Sequence, residues 1–568
     1  MRRLTNKAVP AAFLMSVLMT AQAGAEDGPS VRGFPGGGAH TATPIKHLVV
    51  IFGENESFDH YFGTYPFAKN PQGEPSFVPR SFTPPVNGLT SQLLNNNPNF
   101  TNTAGNGAGA ANPFRLDRTQ AHTADMNHGY TAEQEAFDDG KMDLFPAKTG
   151  SAGIAGPDTF STTALVMGYF DGNTVTALWN YAQYFALNDN SYSSQFGPSS
   201  PGAINVISGQ TNGAVGFDAG STAAQQAAIG LSTGATPVSP IGATNGFQVD
   251  DGTGTGTFTL YSDADPTGDQ CSTQTSATVT MTGKNIGDLL NARNISWGWF
   301  QGGFNLELTN ANGTTGCKRS SSSTNPDVIP PITSADYVQH HAPFQYYAST
   351  ANPHHLPPTS VKAIGYSDQA NHQYALTDFW NAVAKNNLPA VSFLKAPADQ
   401  TGHPSTSSPL AEQTFLVDTI NRLQQSPDWK DMAILIAWDD SDGWYDHVLA
   451  PIVNPSDDAN NDALLGQAGL CGTSKTGAYL DRCGYGPRLP FLVISPFAKQ
   501  NFVAHTVADQ SSITRFIEDN WQLGQIGDQS FDAMAGSLLN LFDFNNYGGG
   551  FDRKLILNPN TGERQAEW

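Results

Sequence analysis

The run HLVVIFGENESFDHYFG (47–63) limits what this chain can fold into more than any other segment. Leu48 to Phe52 is an unbroken apolar stretch, rich in β-branched and aromatic residues, that suits a strand covered on both faces in a parallel sheet flanked by helices. The strand stops at Glu54 and Asn55. Ligands of such sheets bind beyond the carboxyl ends of the strands, and a carboxylate beside an amide oxygen offers the hard donors that hold a divalent cation. Taken alone, the residues also read as a polar turn in which Asn55 or Ser57 caps the next helix.

The pattern repeats far along the chain, where MAILIAW (432–438) is followed at once by Asp439, Asp440, Ser441, Asp442 and Gly443. Adjacent aspartates are common in solvated loops, but two strands that both end in oxygen donors favour a shared cation. LPAVSFL (388–394), PFLVI (490–494) and ISWGWF (295–300) read as further strands of the same sheet. Asp399 and His403 fall just beyond the first of these, which makes His403 a candidate acid, base or phosphate donor on that rim.

Between these strands, WNYAQYFAL reads as a helix and FGPSSPG as a sharp turn that presents Ser199 and Ser200. A helix beginning after Pro201 would aim unpaired N–H groups at an anion beside Ser199, and a metal on its oxygen would stabilise the alkoxide. A capping serine in a Gly/Pro turn fits the segment equally. The cluster at 122–143 adds His122, Asp125, His128 and Asp143, with HGYTAEQEAF as a helix. YVQHHAPFQYY adds His340 and His341 before aromatic residues that either wall a pocket or belong to the core.

Arg2, Arg3 and Lys7, then AAFLMSVLM and small residues to Ala25, form an export signal over residues 1–25. No other stretch reaches the ~18 apolar residues of a membrane span, so stable membrane insertion is not expected. A net charge of −22 argues against a nucleic-acid groove or an anionic-membrane anchor. An anionic substrate therefore needs a local positive centre, which a metal and histidines supply. Four cysteines in an exported chain imply two disulfides, and proximity pairs Cys271 with Cys317 and Cys471 with Cys483, one of three possible connectivities. Gly/Ser/Thr-rich stretches at 101–113, 208–285 and 318–326 read as surface excursions. Residues 26–568 are taken as one domain with insertions near 68–120 and 210–285.

The ordered set ENxSFDHYFG, DMNHGY, FGPSSPG, HHAPFQYY, DQTGHP and WDDSDGWYDHV resembles the bacterial phosphoesterase family of secreted acid phosphatases and phosphatidylcholine-preferring phospholipases C, in the alkaline phosphatase superfamily. The resemblance runs from about residue 45 to 525. It implies a three-layer α/β/α sandwich with a largely parallel central sheet and long loop insertions. It also implies Glu54, Asn55, Asp439 and Asp440 as metal ligands, with Ser199 as the metal-bound nucleophile. His128 and His403 carry over as proton-transferring residues, and His341 and Asn55 as substrate contacts. His128 is preferred to His122, and His341 to His340 for its distance from Pro343 and Phe344.

One divalent ion is expected, with magnesium, calcium or manganese favoured by the all-oxygen donors and zinc or iron also compatible. Phospholipase members read ENRSFDH and carry threonine in the turn, whereas this chain has Glu56 and Ser199 and stops soon after the last matched segment. These departures lean towards an exported periplasmic or secreted acid phosphatase that acts on small phosphate monoesters through a phosphoserine. The alternatives are a phospholipase C acting on phospholipid headgroups and a secreted metal-binding protein without turnover.

Overall fold

Seven residues, His47–Gly53, form strand β1, and all but His47 are buried. In the computed structural model this strand lies between two parallel neighbours, β5 (Val391–Lys395) and β6 (Met432–Trp438), each buried along its whole length. A strand buried on both faces has no polar side to show, which is why its sequence is continuous rather than alternating. The structure describes residues 40–150, 158–217, 248–250, 257–272, 278–456, 462, 471, 478–545 and 553–565. The export signal at 1–25 lies outside these residues, as does much of 210–285.

The central sheet also holds β2 (Ala186–Tyr192), β3 (Trp297–Gln301), β4 (Gln373–Ala375), β7 (Arg488–Ile494) and β8 (Phe502–Ala504), in the order β4-β3-β5-β1-β6-β7-β2-β8. Ala508–Asp509 pairs with the same edge of β2 and completes nine strands. Every pairing is parallel except those of β7, which runs against both β6 and β2. The fold is therefore the expected mixed α/β architecture on a mostly parallel sheet, with PFLVI as its one reversed strand.

Helix α1 (Phe58–Phe62) follows β1 and is capped by Ser57, whose Oγ accepts from the His60 N–H. Later come α2 (Tyr130–Phe137), α3 (Thr176–Tyr184), α4 (Ser199–Ser208), α5 (Pro409–Gln425) and α6 (Ser511–Trp521). Two boundaries differ from the sequence reading. WNYAQYFAL is helical only to Tyr184, because Ala186 and Leu187 enter the sheet between β7 and β8. Helix α4 starts at Ser199 rather than after Pro201, since proline in the first turn gives up an N–H that has no helical acceptor there.

The Gly/Thr-rich stretch from 208 was expected to be surface excursion. Its described part holds a small sheet of 212–217, 248–250, 258–260, 265–266 and 278–281. Thr278–Met281 is buried throughout, so its β-branched residues pack despite the polar composition. Both disulfides join the sequence-adjacent cysteines, Cys271 to Cys317 and Cys471 to Cys483. Among the described residues no helix is long and apolar enough to cross a membrane.

Candidate active site

The register of β1 on β6 pairs Gly53 with Trp438, so the residues that follow, Glu54–Asn55 and Asp439–Asp440, emerge side by side on one rim. All four are buried, with exposures of 1% or less. Asn55 is left-handed at φ 62°, a conformation asparagine tolerates, and its N–H donates to Asp439 Oδ1 at 2.9 Å. Asp439 Oδ1 also accepts from the Asp440 N–H at 2.8 Å, and Asp440 Oδ1 from the Asp442 N–H at 2.7 Å. Each aspartate thus spends one oxygen on fixing the loop and keeps the other for the site.

Ser199, the first residue of α4, brings its Oγ to 3.0 Å from Asp440 Oδ2 and 3.3 Å from Glu54 Oε2. Its turn is held from two sides. Glu133 on α2 accepts from the Gly197 N–H at 2.9 Å and from Ser441 Oγ at 2.6 Å, and so ties the serine turn to the aspartate loop. Asp263 accepts from the N–H and Oγ of Ser200, both at 2.9 Å. Gly202 packs the helix directly on the Asp439 backbone.

Among these buried oxygens, Asn55 Oδ1 and Asp439 Oδ2 have no hydrogen-bond partner. Burial and the neighbouring Glu54 push Asp439 well above the usual carboxylate range, and burial and Asp439 do the same to Asp440. Glu54 goes the other way: burial opposes its charge, but Lys395, Asp439 and His403 outweigh it and hold its carboxyl low. Unpartnered hard oxygens and uncompensated negative charge in one buried cluster fit a divalent cation held by Glu54, Asn55, Asp439, Asp440 and Ser199. Three tighter acidic groups occur among the described residues. In one, Cys271 is tied up in a disulfide, and in another Arg488 already bridges Asp59 and Asp446. The third, Asp125, His128 and Asp442, adjoins the cradle, because Asp442 Oδ1 also accepts from Asn55 Nδ2 at 3.1 Å.

Four histidines gather here, among them His340, whose ring stands 4.3 Å from that of His341. His341 Nδ1 lies 3.0 Å from Glu54 Oε1, while its buried Nε2 has no partner. Burial, His340 and Lys395 keep this ring neutral. His128 Nδ1 lies 3.2 Å from Asp442 Oδ1, and although burial opposes its charge, Asp440 and Asp442 raise its pKa well above the ordinary value. The ring of His403 stands 6.3 Å from that of His128 and 6.5 Å from that of His341.

Other candidates fall elsewhere. His122 buttresses the His403 loop by contacting the Ser405 carbonyl at 3.1 Å, and Asp143 binds Asn102. Asp399 is buried outside the cluster, raised to about 7 by burial and Asp336. His60 stacks on Trp444 and is neutral, its pKa lowered to about 3 by burial. Glu56 is buried with Oε2 3.4 Å from His60 Nε2. The sequence reading missed Lys395, Glu133 and Asp263. A lysine ending an otherwise apolar strand was the available signal for the first.

Known proteins resemble this chain over most of its length. A non-hemolytic phospholipase C of Pseudomonas aeruginosa is 25% identical over 515 residues, which span 88% of this chain but only 58% of that protein. Phospholipase C A of Mycobacterium tuberculosis is 22% identical, covering 86% of this chain and 77% of its own length. A hemolytic phospholipase C of Pseudomonas aeruginosa is 31% identical over 168 residues, 29% of this chain and 22% of that one. A solved Vibrio parahaemolyticus protein described as being in the alkaline phosphatase superfamily is 12% identical and covers 61% of this chain and 60% of its own. Its TM-score of 0.24 is too low to bear on the fold. A sequence model of the Phosphoesterase family matches residues 45–524, and the chain belongs to that family.

Proposed function

We propose that this protein is an exported, metal-dependent phosphoesterase that hydrolyses phosphate monoesters, as an acid phosphatase does, through a phosphoserine on Ser199. The carrying observation is the Ser199 Oγ set between Glu54 Oε2 and Asp440 Oδ2 at the start of a ten-residue helix. A bound divalent ion supplies Lewis-acid stabilisation of the serine alkoxide and of phosphoryl charge. Glu54, Asn55, Asp439, Asp440 and Ser199 would hold that ion.

Ser199 Oγ passes its proton to Asp440 Oδ2, 3.0 Å away, as it attacks phosphorus and the bond to the ester oxygen breaks, and it takes that proton back when the phosphoserine is cleaved. His128, whose Nδ1 is held by Asp442, protonates the leaving oxygen from Nε2 and takes the proton back from the water that cleaves the phosphoserine. His341 and His403 line the phosphoryl oxygens, and the N-terminus of α4 favours their negative charge.

The monoester preference rests on Glu56 and Ser199, where this chain departs from the phospholipase pattern. Besides His128, His340 is held cationic, because Asp263 and Asp265 overcome its burial and raise it to about 9. These rings offer donors to phosphoryl oxygens, while the aspartates that hold them leave the rim without net positive charge. The relatives' name favours a second reading, a phospholipase C acting on phosphatidylcholine-type diesters. Initial rates on p-nitrophenyl phosphate, p-nitrophenyl phosphorylcholine and phosphatidylcholine vesicles separate the two, and turnover confined to the choline diesters reverses the preference. Ser199→Ala, with phosphoenzyme trapping by mass spectrometry, tests the nucleophile. Full activity in that variant, or no phosphorylated Ser199 in wild type, refutes it.

A further inference from the structure

Strand β5 ends at Lys395, one residue beyond the Leu394–Ile51 pairing, and this places its side chain at the acidic end of β1. The side chain is fully buried. Its Nζ donates to the Gly53 carbonyl at 3.2 Å, forms a close ion pair with Glu54 Oε1, lies 3.9 Å from Asp439 Oδ2 and sits 4.8 Å from the centre of the Phe52 ring. A buried ammonium persists only where such partners offset its desolvation.

Two consequences follow from this placement. Within the cradle Glu54, Asp439 and Asp440 bring three negative charges and Lys395 returns one positive, while the adjoining Asp442 is paired with His128, so two charges remain to match one divalent ion. The two oxygens of Glu54 are also divided, Oε1 facing Lys395 and His341 while Oε2 faces Ser199.

Resting on the metal-dependent reading above, we propose that Lys395 is a fixed cation built into the cradle. It limits the site to a single divalent ion and turns one oxygen of Glu54 towards Ser199. Lys395 acts through Glu54 and is a positioning residue.

The test compares the full chain as wild type, Lys395→Met, which keeps side-chain length without charge, and Lys395→Arg. Each is stripped with a chelator and dialysed against Mn²⁺ at pH 8. Bound metal per chain is counted by mass spectrometry, and melting is followed with and without Mn²⁺. Wild type and K395R are expected to hold one ion. K395M is expected to bind Mn²⁺ at least tenfold more tightly or to take a second ion, and to melt lower than wild type only when stripped. Unchanged or weaker binding in K395M, with the wild-type gain in melting temperature on loading, overturns the role of Lys395. A wild type that takes up neither Mn²⁺, Mg²⁺ nor Zn²⁺ overturns the metal-dependent reading itself. K395M recovered only when Mn²⁺ is present during expression supports the proposal. K395M that is insoluble with and without the ion assigns Lys395 to core packing and overturns it.

Discussion

Gly202→Ala isolates the contact that sets the height of Ser199. Helix α4 lies so close to the end of β6 that a Cβ at position 202 would stand 2.1 Å from the Asp439 carbonyl oxygen and 2.7 Å from its carbonyl carbon. Ordinary non-bonded contact needs about 3.5 Å between carbon atoms, so helix and loop must part by about 1 Å. Neither side of this contact is a flexible side-chain tip, and the movement separates Ser199 on the helix from Asp440 on the loop, now 3.0 Å apart. Misplacement of about 1 Å in a reacting geometry costs about 100-fold in rate. The overpacking itself costs about 1–3 kcal/mol, and alanine's better helix propensity returns up to about 1 kcal/mol. G202A is therefore expected to lose about two orders of magnitude in kcat on p-nitrophenyl phosphate while its melting temperature falls only slightly. Gly283→Ala is the control, because its Cβ meets only the Gln210 amide at 3.3 Å. Wild-type kcat in G202A would refute the close approach as the determinant of nucleophile position.

The two disulfides close loops with sequence separations of 46 and 12, so replacing both cysteines of a pair by serine should cost about 4 kcal/mol for Cys271–Cys317 and about 3 kcal/mol for Cys471–Cys483. Denaturant titration of the two double variants reads the order directly. Arg488→Met leaves the buried carboxylates of Asp59 and Asp446 without the guanidinium that bridges them at 3.0 Å, and should destabilise by about 3–5 kcal/mol, measured by urea unfolding. His340 has a folded pKa of about 9, above its unfolded value, because Asp263 and Asp265 outweigh burial. Its contribution to stability is thus complete below about pH 6.5 and disappears as pH rises through about 9. Asp263→Asn should flatten that part of the pH–stability profile, and an unchanged slope between pH 6.5 and 9 argues against the pairing.

What could be read from the sequence follows from how local each signal is. Strands β1 and β6 were legible because a buried parallel strand is apolar at every position, and their donors stand immediately after the run. Ser199 was legible as a turn residue, but not as the first residue of its helix, since Asp263, which binds the Ser200 N–H, comes from a glycine-rich stretch with no visible period. Glu133 looks like the polar face of a short helix, and only the approach of Ser441 and Gly197 explains its burial. Lys395 shows the limit most clearly. Acidic residues on neighbouring strand ends tell a reader that positive charge must arrive, because buried carboxylates repel one another and resist ionisation. They do not tell where it comes from. The pairing of β5 beside β1 supplies one positive charge from within the chain, and that pairing, which no local pattern around residue 395 announces, is what brings Lys395 to Glu54 and Asp439.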